Sequence, residues 1–182
     1  GDVNQPPSFQ RDQADHDRLF HFYWQDTWKL RPRLALNFGL AWSFESNATA
    51  KMSFVDNRSS YVCTGTLLND IAASGTPYFL SANHCISKQT VASTLQTYWF
   101  YRSASCNSGT LNPGNKTLTG GATLLYPSSV TDTSFMKLNN APPAGVWYAG
   151  WSSNAPALGT PVTGVHHPSG DLQKISFGGT QS

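Results

Sequence analysis

The segment TPYFLSANHCIS, residues 76–87, puts His84 at the end of a short apolar run and directly before Cys85. An imidazole in such a place can serve as a general base, because its ordinary pKa lies near neutrality and it can take and return a proton at physiological pH. Nucleophilic attack by serine needs such a base, since the hydroxyl is a poor nucleophile until its proton is removed. The base in turn needs a buried carboxylate that holds its tautomer and stabilises its cation. A carboxylate should therefore follow His84 in the chain, and then a serine. Asp132 stands just before a second apolar stretch, SFMKL, and is the candidate carboxylate. The plain alternatives are a surface-loop histidine at position 84 and a turn aspartate capping SSVTDT at position 132.

The elements that would position these residues follow from composition. At 182 residues the chain is long enough for one domain with a sizeable core, or one domain plus a fragment. Charged residues make up 12% and the net charge is +2, too weak a balance to argue for nucleic acid or an anionic membrane as a partner. Aromatic residues reach 13%, and Gly, Ser, Thr and Asn are abundant, which favours short strands joined by turns. No apolar run of transmembrane-helix length and no signal-peptide core occurs, so a mature form or a fragment is expected. The three cysteines, Cys63, Cys85 and Cys106, leave two possibilities open. In an exported protein one of them is a free thiol or lacks its partner; in a cytosolic one all three are reduced.

A change of character falls near residue 46. Gly1 to Asp17 is polar and reads as loop. From Leu34 to Phe44, Leu34, Leu36, Phe38, Leu40, Trp42 and Phe44 alternate with small or polar residues, a period of two that makes one β-strand with an apolar face. Phe20, Phe22 and Trp24 begin a similar pattern before the turn RPR, so a hairpin is expected over this stretch. It covers a soluble core or, alternatively, belongs to a membrane barrel. The piece YWQDTWKLRPRLALNFGLAW resembles barrel strands of TonB-dependent outer-membrane receptors. Two strands cannot close a barrel, and an open sheet edge is not tolerated in lipid, so no stable membrane insertion is expected of this chain alone. Residues 1–46 are accordingly an extension, either native or joined from another gene, and residues 47–182 a second region.

Beyond Asn47 the pattern becomes many short strand candidates: AKMSFV, SYVCTGTLLN, TPYFLSA, STLQTYWFYR, GATLLYP, TSFMKLNN, VWYAGW and PVTGVHH. Turn signals such as DNRSS, NPGN and NNAPPAG separate them, which argues an antiparallel barrel or sandwich. The Asn-x-Ser/Thr triplets at Asn47, Asn57 and Asn115 are taken as coincidental. CTGTLLND, then YFLSANHC, then TDTSFMKLNN resembles the chymotrypsin-type serine proteases, in particular the bacterial lysyl-endopeptidase-like subgroup, and VHHPSGDLQKIS fits the same subgroup. Asn83, where common trypsin-like enzymes have a small residue before the histidine, is a mild departure.

The resemblance implies an all-β, chymotrypsin-like antiparallel barrel: the first barrel plus the start of the second, preceded by the N-terminal hairpin. It implies His84 as base, Asp132 as the acid that orients it, and a Cys63–Cys85 disulfide worth roughly 3 kcal/mol by loop closure. It pairs Cys106 with a segment N-terminal of the first barrel, and residues 1–45 hold no cysteine, so Cys106 is expected to be unpaired. The family's nucleophile lies in Gly-Asp-Ser-Gly, which does not occur here; PSGDL has the letters in another order, and Ser169 is not taken as the nucleophile. The chain therefore reads as the N-terminal part of a secreted, bacterial, monomeric serine endopeptidase acting on polypeptides, with cleavage after Lys by subgroup analogy, and inactive by itself. No cofactor is expected. Nor is a metal: His166 and His167 are adjacent on a strand and point to opposite faces, and no further ligands stand at the usual spacing. A non-catalytic protease-like binding module and a piece of an outer-membrane receptor are the other readings.

Overall fold

A computed structural model describes residues 22–31, 34–42, 47–105 and 108–181. The loop expected over residues 1–17, the side-chain faces of the strands before Asn47, and Cys106 lie outside the described residues. The chain divides into two compact units, residues 1–44 and 45–182. In the first, β1 (Phe22–Arg31) and β2 (Leu34–Trp42) pair antiparallel from Phe22 opposite Trp42 to Arg31 opposite Leu34, with a register shift between Lys29 and Arg31.

The second unit begins with a hairpin. β3 (Thr49–Asp56) and β4 (Ser59–Leu68) pair from Thr49 opposite Thr66 to Asp56 opposite Ser59. Asn57 and Arg58 alone make the turn, at φ of 49° and 68°. Two consecutive residues at positive φ give the tight turn whose twist matches that of the strands, and Asn reaches that region at low cost. β5 (Tyr78–Ala82), β6 (Gln96–Trp99), β7 (Lys116–Leu118), β8 (Ala122–Ser128) and β9 (Thr133–Leu138) complete a seven-stranded antiparallel sheet in the order β7-β6-β3-β4-β5-β9-β8.

Alternation decides what enters the core. Ala50, Met52 and Phe54 of β3, Leu67 of β4, Phe79 of β5, Trp99 of β6, Ala122 of β8 and Met136 and Leu138 of β9 are all buried on the inner face. The Phe79 and Trp99 rings meet edge to face at 6.0 Å, and the Trp99 indole N–H is satisfied by Thr97 Oγ1 at 2.9 Å. Gly65 stands where a Cβ would overlap the Phe79 ring, so the close approach of β4 to β5 requires glycine.

Three features differ from the sequence expectation. A short helix, α1 (Gln89–Ala92), follows β5, and its Gln89 amide acts as a strand would: Nε2 donates to Ala122 O (2.9 Å) and Oε1 accepts from Leu124 N–H (2.8 Å), closing part of the free edge of β8. VWYAGW forms no strand; Ala149 makes a single parallel bridge to Leu68, because Pro142, Pro143 and Gly145 at φ 91° turn the chain before a ladder can build. Lys116–Leu118, which none of the strand candidates covers, is a strand paired with β6. After these elements β10 (Pro161–His166) and β11 (Lys174–Gly179) form a separate antiparallel pair around a 3-10 turn at Pro168–Gly170. Among the described residues the unit is all-β apart from α1, this turn and a 3-10 conformation at Asn47. No helix among the described residues is long and apolar enough to cross a membrane.

Candidate active site

β5 and β9 are antiparallel neighbours whose ends coincide, with Ser81 opposite Ser134 and Ala82 opposite Thr133. The chain leaving β5 and the chain entering β9 therefore lie side by side, and residues 48 apart in sequence meet. The Asn83 N–H donates to the Asp132 carbonyl at 3.0 Å. Asp132 itself sits at φ 50°, a left-handed conformation that Asp tolerates better than most residues. That turn aims its carboxylate back at the β5 end. Oδ1 accepts the His84 backbone N–H at 2.9 Å, and Oδ2 lies 2.6 Å from His84 Nδ1.

The carboxylate is held below its ordinary pKa, first by the His84 N–H, then by the hydrogen bond and the charge of the His84 ring. An ionised carboxylate only accepts, so Nδ1 is the donor, and the neutral ring carries its lone pair on Nε2. The side chains are 71% and 52% exposed, so Asp132 is not the buried carboxylate expected from the chemistry. An ion pair this wet adds little to stability, and its consequence is orientation of the ring.

His84 stands on a turn pinned from both sides. The Cys85 and Ile86 N–H groups both donate to Ala82 O, at 3.1 and 3.2 Å, and the Ile86 side chain is fully buried. Cys85 is bonded to Cys63 of β4, with Cα atoms 6.5 Å apart across a separation of 22 residues. The pairing is the one the family resemblance implies. The two sulfurs and a ring nitrogen of His84 lie within 4.8 Å of one another, but both sulfurs are consumed in the disulfide and offer no thiolate to a metal. His166 and His167 have separate partners: Ser176 Oγ lies 3.3 Å from His166 Nδ1, and the Asp171 carbonyl accepts from His167 Nδ1 at 3.1 Å. Ser169 lies in the 3-10 turn at φ 53°.

Sequence reasoning missed two parts of this arrangement. One is the second carboxylate oxygen on the His84 backbone; the other is the left-handed turn at Asp132. An Asp directly before a strand is the only signal for either. A cavity of about 550 Å³ lined by Leu68, Ile71, Tyr78, Phe135 and Trp151 was also unforeseen. Tyr78 begins β5 and His84 follows its end, so this cavity is not the space around the pair.

Residues 37–182 match the lysyl endopeptidase C-terminal domain family. The chain belongs to that family. The match begins within β2, upstream of Asn47. A lysyl endopeptidase of Pseudomonas aeruginosa is 44% identical over 135 residues, covering 72% of this chain and 29% of the relative. The chain thus spans less than a third of the length of that lysyl endopeptidase. Among solved structures, a scabies mite inactivated protease paralogue superposes with a TM-score of 0.52 at 17% identity, over 73% of this chain and 60% of that one. A thermostable serine protease from an extremophilic microorganism gives a TM-score of 0.49 at 14% identity, over 75% and 67%. The fold of the lysyl endopeptidase domain is the chymotrypsin-like antiparallel β architecture.

Proposed function

We propose that His84 and Asp132 are the base and its orienting acid in an exported serine endopeptidase that hydrolyses peptide bonds at lysyl residues. The observation that carries this reading is the two-point grip of one carboxylate on one histidine: Oδ2 on Nδ1 at 2.6 Å and Oδ1 on the His84 N–H at 2.9 Å. Membership of the lysyl endopeptidase family supports the polypeptide substrate, and the name of the Pseudomonas aeruginosa relative supports the lysyl preference. The Cys63–Cys85 disulfide supports export, because such bonds persist in oxidising compartments. Residues 1–46 are, on this reading, an N-terminal extension, the last ten of which the family match also covers.

The chemistry follows from the tautomer. Nε2 of the neutral ring takes the proton from a serine Oγ as that oxygen bonds to the scissile carbonyl carbon. The imidazolium formed is stabilised by Asp132 through Nδ1–H. As the carbon–nitrogen bond breaks, Nε2 returns the proton to the leaving amine. No serine among residues 1–182 stands in Gly-Asp-Ser-Gly, and the reading assigns the nucleophile to none of them. The test is to express in full the open reading frame that encodes this segment and assay a lysyl peptide substrate. Turnover in the wild type that vanishes in His84→Ala is expected. Turnover that survives in the variant overturns the role of His84, and a folded wild type without turnover favours the non-catalytic binding module.

A further inference from the structure

β10 and β11 pair only with each other in the described residues; β10 lies against β3, and their connection, residues 167–173, adds hydrogen bonds to the seven-stranded sheet. The His167 N–H donates to Thr64 Oγ1 of β4 at 2.9 Å, and the Gln173 N–H donates to the Tyr101 carbonyl at 2.9 Å. Leu172 is buried, and Gly170 lies against Val62. At the centre is the His167 ring, 4% exposed and packed 6.0 Å from the Tyr101 ring. A carbonyl can only accept, so the proton of the neutral ring is on Nδ1, facing Asp171 O, and Nε2 keeps a lone pair. That Nε2 is buried and has no hydrogen-bond partner among the described residues.

The charged and titratable groups around it are unevenly disposed. β3 contributes Lys51, whose ammonium lies over the Tyr101 ring at 4.2 Å, and the segment after β6 contributes Tyr101. The hairpin itself contributes His166 and Asp171, the latter already bridged to Lys174 at 3.4 Å. β4 contributes Thr64 and Val62, neither of them charged. A second proton on His167 would therefore create a buried N–H donor with no acceptor, on a cation whose neighbour on the sheet is another cation. Burial of such a group is strongly disfavoured, and release to water is the relief.

We propose that His167 is a latch, holding the connection 167–173 and with it the β10–β11 hairpin on the β3–β4 face while its ring is neutral, and releasing them when the ring is protonated. Burial is the main cause holding the docked ring below the ordinary value of 6.5; the Asp171 carbonyl opposes it, and Lys51 and His166 add to it. The sign is that of a depressed group: docking is complete above the ordinary value and is lost as pH falls below it, down through the docked value. Cys63, next to Thr64, carries the disulfide to Cys85, so the latch closes one residue from the bond that pins the His84 turn. The inference does not depend on the role proposed for His84.

Amide hydrogen exchange on residues 1–182, corrected for intrinsic rates, tests it. Protection at His167 and Gln173 should fall by about tenfold per pH unit between the ordinary and docked values, while Met52 and Phe79 in the sheet hold theirs. In His167→Gln that pH dependence should vanish. In the wild type, the His167 ring carbon shifts should show the neutral form for as long as the two amides are protected, which needs no variant. The proposal is overturned by pH-independent protection, by an equal loss in the sheet, by the same pH dependence in His167→Gln, or by a ring that is protonated while the amides remain protected.

Discussion

Replacing the Cys63–Cys85 disulfide by the double variant Cys63→Ser/Cys85→Ser should lower the stability of the unit formed by residues 45–182 by about 3 kcal/mol. The figure comes from the separation of 22 residues that the bond closes. A cross-link over a loop of that length removes chain entropy worth about 3 kcal/mol from the unfolded state. Both cysteines are only partly buried, so loss of packing adds little. For a unit of this size each kcal/mol moves the thermal midpoint by about 2–4 °C, which gives a drop of about 6–12 °C. Equilibrium urea unfolding followed by tryptophan fluorescence measures the change, with wild-type protein reduced by a dithiol as the second arm. Reduction and double substitution should agree, because both act by releasing the same loop. A loss below about 1 kcal/mol in both arms would refute the loop-closure reasoning. A loss in the variant alone would assign the effect to side-chain contacts.

Gly65→Ala should destabilise the unit by about 1–3 kcal/mol, the range for overpacking a filled core, since its Cβ would enter the Phe79 ring; a melt unchanged from wild type would contradict the packing. Because the Asp132 carboxyl is held below its ordinary 3.8 by His84, its grip on the His84 turn should be complete above that value and be lost as pH falls through the folded value. The His84 amide proton shift, followed against pH, should report that low midpoint, and a midpoint at or above 3.8 would show that the grip is absent. Residues 1–182 alone should hydrolyse lysyl peptide substrates no faster than their own His84→Ala variant; turnover that disappears in the variant would show that a serine within them is a nucleophile.

The strands of the core were legible because their signal is local. Ala50, Met52 and Phe54 alternate as a half-buried strand must, and Asn57 marks the tight turn that ends it. The candidate pair was legible for another reason: an imidazole after an apolar strand and an Asp before one are what antiparallel neighbours such as β5 and β9 bring together. What was not legible depends on partners distant in sequence. Gln89 takes its role from the free edge of β8, which no local pattern reveals. VWYAGW has the composition of a strand, but Pro142, Pro143 and Gly145 turn the chain just before it, so only Ala149 bridges to the β4 edge at Leu68. His166 and His167 read as neighbours on one strand facing opposite ways, but β10 ends at His166, and His167 is buried where Thr64, more than a hundred positions earlier, receives its backbone N–H.

The central claim is that Asp132 exists to hold His84 in a working tautomer, and Asp132→Asn in the full-length gene product tests it most directly. The amide is nearly isosteric and keeps an oxygen for the backbone of the turn, but it can present its NH₂ to Nδ1 and so favour the wrong tautomer. Steady-state hydrolysis of a lysyl peptide should show kcat lower by about 10⁴-fold, with KM and the thermal midpoint near those of the wild type. A variant that folds normally and retains kcat within tenfold of the wild type would contradict the account.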